Sequence, residues 1–169
     1  MPNPDLTNIE ALLKEEYFHL QNTIESFDSK SITIKAWSVS GSLVIMGAGF
    51  TGKGSIALFL IASVASLLFW YIEGIWKTFQ QSFYDRVYTI EDHFNAEVKK
   101  AVQPLQLTHF WSKQWHGRYK NSIFKILFWP HVMLPHVFVF IGGIVLFILS
   151  FFNIINVHPP QAFSITAHI

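Results

Sequence analysis

Cysteine is missing from all 169 residues, which excludes a disulfide framework, a thiolate metal site and a cysteine nucleophile. Charge is scarce as well: Asp, Glu, Lys and Arg make up 14% of the chain, against about a quarter in soluble domains. With 51% of residues hydrophobic, a soluble domain of this length could not hide its own apolar surface. Neither sign of charge dominates, since 12 Lys and Arg stand against 11 Asp and Glu, so the placement of the charges says more than their sum. Also missing are a Gly-rich phosphate loop, a serine nucleophile elbow, a pair of catalytic carboxylates, and histidines at the close helical spacing of a metal site with a third ligand. No enzyme, metal or cofactor is therefore expected. The first six residues carry Asp5 and two prolines where a cleaved signal peptide has a basic region followed by an apolar one.

What is abundant is aromatic and apolar. The 17 Phe and 6 Trp are residues that gather in bilayers and at their interfaces. A first apolar run covers residues 32–50, with Lys35 and Trp37 near its start and Gly47, Ala48 and Gly49 near its end. Lys35 has to reach back to the headgroups, because a charge at mid-bilayer costs several kcal/mol. After a polar turn at 51–54, residues 55–76 supply about 22 positions, enough to cross about 30 Å of hydrocarbon at 1.5 Å each. A third run, residues 132–155, follows Pro130 and Pro135 and precedes a tail with Pro159 and Pro160.

Two further stretches are amphipathic. Leu6, Ile9, Leu13, Tyr17, Leu20, Ile24 and Phe27 recur in steps of three and four, one stripe of a helix. Its other face is acidic, so a protein partner suits the stripe better than anionic lipid does. Beyond Trp76 the stripe Phe79, Phe83, Val87, Ile90, Phe94, Val98, Ala101 extends the second span as a long helix that Pro104 should end. The expected fold is all-α: a polytopic helical membrane protein with three transmembrane helices plus cytoplasmic helices. Residues 1–30 form an amphipathic helix, 31–77 a transmembrane hairpin, 78–130 a basic and aromatic cytoplasmic region, and 131–169 the third span with an extracytoplasmic tail. With the N-terminus inside, Lys53 is the one Lys or Arg of the twelve left outside, a strong positive-inside pattern for a multi-pass protein.

The candidate functional residues fall into two groups. In the spans, Lys35, Ser38, Ser42, Ile45 and Gly49 share one face of the first helix with Ser31, and Ser66 and Glu73 share a face of the second with Ala62 and Lys77. The third span offers Gly142, Ser150 and Asn153. Such stripes line pores, and they equally let helices pack closely in lipid, the commoner use of small residues. Glu73 either lines an ion path or gate, or is an interfacial carboxylate satisfied by Lys35 or Lys77. Three short spans enclose no channel alone, so a pore requires a homo-oligomer around an axis.

The second group is basic and aromatic: Lys99, Lys100, His109, Lys113, Trp115, His116, Arg118 and Lys120. Cations interleaved with aromatics bind phosphates by charge and bases by stacking, and they are also what the headgroup region selects beside a span. The acidic first helix could cover this surface. Arg86 and His93, with six residues between them, fit the loose spacing of HEPN ribonucleases. A solvated helix face is the better account of them.

The run EYFHLQNTIESFDSKSITIKAWSVS at residues 16–40, with FWYIEGIWKTFQ at 69–80, resembles small membrane proteins of bacterial defence operons, above all the Hailong membrane effectors. That resemblance implies an oligomeric channel in the inner membrane that depolarises the infected cell, causing abortive infection. It also implies gating by a single-stranded DNA oligomer or nucleotide product of a partner nucleotidyltransferase. The topology and the Arg86 to His93 spacing are also similar to the small membrane accessories of RNA-targeting CRISPR systems. A non-conducting adaptor that recruits a soluble partner through its cytoplasmic helices is the alternative function.

Overall fold

No proline or glycine interrupts residues 5–40, and the chain is helical throughout them: α1, Pro4–Gly49, 46 residues. A computed structural model describes residues 4–51, 55–95 and 101–155, the side chains of residues 4–6 excepted. The described residues contain α2 (Ala57–Phe94), α3 (Leu107–Gln114), a π-helical turn at Trp115–Tyr119, a 3₁₀ turn at Lys120–Ser122, α4 (Ile123–Leu127) and α5 (Pro130–Phe151). The structure is 88% helical and has no strand among these residues.

The amphipathic helix and first span expected as two segments are continuous helix, and its buried positions explain why. Leu13, Glu16, Leu20, Ile24, Ser31, Ser38, Ser42, Met46 and Gly49 are all buried and follow one another at steps of three, four or seven, so one face runs the length of α1. What changes along it is the opposite face, from charged residues to exposed Ile32, Trp37, Leu43 and Val44.

The second helix ends at Phe94, ahead of Pro104. Ala101 to Gln103 are not helical, and Val98 lies outside the described residues. Side chains of α1 and α2 hold the backbone that follows. Arg86 donates to the Gln103 carbonyl at 2.8 Å, the Leu105 N–H donates to Glu16 at 2.9 Å, and Leu105 has a left-handed φ of 61°.

Contacts group the chain into two compact units, residues 1–34 with 70–133 and residues 35–69 with 134–169. In the first, Leu13, Leu20 and Ile24 of α1 meet Val87 and Ile90 of α2, with Ile9, Tyr17, Phe83, Tyr84, Val102 and Leu107 around them. Burying each such aliphatic side chain is worth about 1.5–3 kcal/mol, so the acidic helix finds the partner for its stripe within its own chain. Trp111 and Trp115 stack in parallel at 5.8 Å, both edge-on to Phe79, and the Trp111 indole donates to the Phe79 carbonyl at 3.1 Å.

In the second unit Met46, Phe59, Ala62 and Val139 form the core, flanked by Val39, Ile45, Ile56, Leu146 and Phe147. Gly49 lies against the Phe59 ring. Three helices are long and apolar enough to cross a membrane, Thr7–Gly49, Ala57–Phe94 and Pro130–Phe151, and their most apolar stretches are only 22%, 33% and 17% buried. Many of the apolar side chains on these helices are thus exposed, among them Leu43, Val44, Ile61, Val64, Leu68, Phe138 and Ile141, while Ser38, Ser42, Ser63, Ser66 and His136 are buried together with the apolar core.

Candidate functional site

Charged residues buried at core positions need a counter-charge and further hydrogen bonds to offset the loss of water. Glu16 lies between Leu13 and Leu20 on the buried face of α1, and Arg86 beside Val87 on that of α2. The guanidinium donates twice to the carboxylate, Nε to Oε1 at 2.8 Å and Nη2 to Oε2 at 2.9 Å, with both side chains 4% exposed, and it lies 5.6 Å from the Phe110 ring centroid. A solvated face was one expectation for Arg86. The structure corrects it, because this arginine is buried and tied to Glu16. The signal was present in the sequence as a Glu and an Arg at helical spacing within otherwise apolar stripes.

Nearer its N-terminus α2 carries more buried polar groups. Gln80 donates to the Ile24 carbonyl at 3.0 Å and accepts from the Lys77 ammonium at 2.7 Å. Lys77 also reaches Asp28 at 2.6 Å, and Glu73, fully buried, accepts the Ser31 hydroxyl at 2.8 Å. Of the two lysines expected near Glu73, Lys77 is therefore engaged with Asp28 and Gln80.

The second unit holds several buried hydroxyls, one of them bonded to an imidazole. His136 is fully buried and its Nδ1 shares a 2.7 Å hydrogen bond with Ser38. The Ser66 hydroxyl donates to the His136 carbonyl at 2.7 Å, Ser63 donates to the carbonyls of Phe59 and Phe140 at 3.0 and 3.1 Å, and Ser42 donates weakly to the Ala62 carbonyl at 3.4 Å. Of the pore or gate candidates, Ser38, Ser42 and Ser66 are thus buried and bonded within the chain. Gly49 packs on Phe59, Ile45 joins the apolar core, and Lys35 is half-buried. His136 went unassigned in the sequence, although it falls with Val132, Val139 and Gly143 on one helical stripe. Ser38→Ala should strand the ring nitrogen and cost about 1–2 kcal/mol, read as a lower unfolding midpoint in detergent, with Ser40→Ala, on the exposed face, unchanged.

The basic and aromatic candidates divide differently. His109, Lys113, His116, Arg118 and Lys120 are exposed, whereas Trp115 is half-buried within the tryptophan stack. Arg118 lies 4.0 Å from Asp85, and the Tyr119 hydroxyl donates to Asp85 at 3.2 Å. Burial, with the Asp85 carboxylate beside it, raises the Tyr119 pKa above the usual phenol value. Lys99 and Lys100 lie outside the described residues. Among the described residues no cluster of His, Asp or Glu is placed to hold a metal ion. No family model matches the chain, and no curated protein and no solved structure matches it either.

Proposed function

We propose that this chain is a homo-oligomeric ion channel or pore-forming effector of the bacterial inner membrane, part of an anti-phage system. In this reading the three long apolar helices cross the bilayer with the N-terminus inside and the C-terminus outside. A nucleic-acid or nucleotide ligand at the cytoplasmic face gates it, and opening depolarises the cell. The observation that supports conduction is the burial of Ser38, Ser42, Ser63, Ser66 and His136 in helices that leave many apolar side chains exposed. Polar and ionisable groups at membrane depth are expensive and mark ion pathways by default. In the protomer Ser38 and Ser66 bond to His136, and Ser42 and Ser63 bond to the carbonyls of Ala62, Phe59 and Phe140, which in this reading is the closed arrangement. An open assembly would exchange those bonds for water, and a ligand favours it only by binding it more tightly than the closed one.

Purified protein in planar bilayers should pass current, and His136→Ala should change its amplitude or open probability. Silence across ligand and voltage conditions defeats the channel reading and leaves a non-conducting adaptor. That second reading draws on the same groups, since hydroxyls wholly satisfied within one protomer, in helices with many exposed apolar side chains, also suit a plain anchor.

A further inference from the structure

Within the first unit, α4 is fastened to α2 on one side only. Ile126 is buried, and the Leu127 carbonyl accepts the Trp70 indole N–H at 2.9 Å. The Leu127 side chain fills the space at Gly74, where a Cβ would come 2.9 Å from its Cγ. A short helix held by Ile126 and Leu127 turns its other side outward, and that side is aromatic: Phe124 is 73% and Phe128 64% exposed. Phe128 also meets Trp70 edge-on at 5.8 Å. Neighbouring the two rings in sequence are the exposed lysines Lys120 and Lys125, the former with its ammonium 5.9 Å from the Trp115 ring centroid.

Depth decides what this side faces. Trp70 and Gly74 belong to the apolar stretch of α2, and α5 begins at Pro130, two residues after Phe128. The exposed rings therefore lie at the level where a membrane span ends, where phenylalanine prefers acyl chains and lysine reaches for phosphates. A nucleic acid would instead need open stacking platforms among the distal cations, and there Trp111 and Trp115 are already stacked on each other and on Phe79.

We propose that residues 120–128 form a lipid-binding foot: Phe124 and Phe128 enter the acyl region of the inner leaflet, while Lys120 and Lys125 bind the phosphates of anionic lipid headgroups. The proposal rests on the membrane-spanning part of the proposed function and is indifferent to conduction.

The chain has no cysteine, so single-cysteine labelling is clean. Phe124→Cys, Phe128→Cys and, as a control on an exposed position of α5, Val145→Cys are each labelled with bimane in nanodiscs containing phosphatidylglycerol. All three labels should be quenched by a nitroxide on the lipid acyl chain and protected from aqueous iodide. In neutral micelles titrated with phosphatidylglycerol, the label at 124 should respond, and Lys120→Gln or Lys125→Gln should each raise the half-response lipid fraction about fivefold. Iodide access at 124 and 128 with Val145 protected overturns the foot while leaving the spans intact, and iodide access at all three overturns both. Equal responses to phosphatidylglycerol and phosphatidylcholine, or unchanged lysine variants, remove the headgroup site. Shielding of 124 by a single-stranded DNA oligomer in neutral micelles, with no response to phosphatidylglycerol, assigns the surface to nucleic acid instead.

Discussion

Glu16→Ala is expected to lower stability by about 3–5 kcal/mol, because it leaves the Arg86 guanidinium buried without its counter-charge. The same substitution takes the acceptor from the Leu105 N–H, so the backbone leading into α3 loses one of its two side-chain anchors. Small domains are stable by only about 5–15 kcal/mol, which makes this one of the costliest single changes available to the chain. Two measurements check it. Unfolding in detergent, followed by circular dichroism, should show a clearly lower midpoint, and hydrogen exchange at Leu105 should accelerate. Joint replacement by Glu16→Leu and Arg86→Met should recover most of the loss, since apolar residues of similar volume commonly replace a buried ion pair at little cost. A Glu16→Ala midpoint equal to that of the parent would show that the pair does not hold this unit together.

Gly143→Ala is expected to cost about 1–3 kcal/mol, whereas Gly142→Ala, one residue away, should be neutral or mildly stabilising. A Cβ at 143 would meet the Phe59 carbonyl oxygen at 2.8 Å and the Met46 methyl at 2.9 Å, and would collide with the Ser63 hydroxyl. Two of those three neighbours lie on α2, one of them backbone, so α5 would have to withdraw and the Ser63 bond to Phe140 would lengthen. At 142 nothing lies within 4 Å, and the only effect left is the better helix propensity of alanine. Unfolding in mixed micelles of increasing SDS content separates the two variants. Equal midpoints would mean that α5 does not approach α2 as closely as the structure has it.

These contrasts also show how much was legible in the sequence. The stripe from Leu13 to Ile24 and its match from Phe83 to Ile90 could be read from spacing alone, because a period of 3.6 places such residues on one face. The three long apolar helices could be read from the length of the hydrophobic runs. The end of α2 at Phe94, ahead of Pro104, could not, and neither could the two long-range bonds, from Arg86 to the Gln103 carbonyl and from the Leu105 N–H to Glu16, that hold the backbone further on. Likewise Ser38, Ser42 and Ser66 were recognisable as one kind of polar stripe, but not as groups already bonded to α2 or α5.

Hydropathy and periodicity by themselves determined that this is a helical chain with three membrane-length apolar segments and which faces of α1 and α2 turn inward, because both follow from local geometry and from burying apolar surface. The inward face of α5, with His136 and Gly143 in place of Gly142 and Asn153, was decided by the tertiary structure. Only the tertiary structure decided which polar groups meet: Arg86 with Glu16, Glu73 with Ser31, His136 with Ser38. Those pairings depend on the angle, register and separation of helices distant in the chain. A one-residue shift along the axis moves a side chain about 1.5 Å and turns it about 100°, enough to break a hydrogen bond that the sequence pattern would still permit.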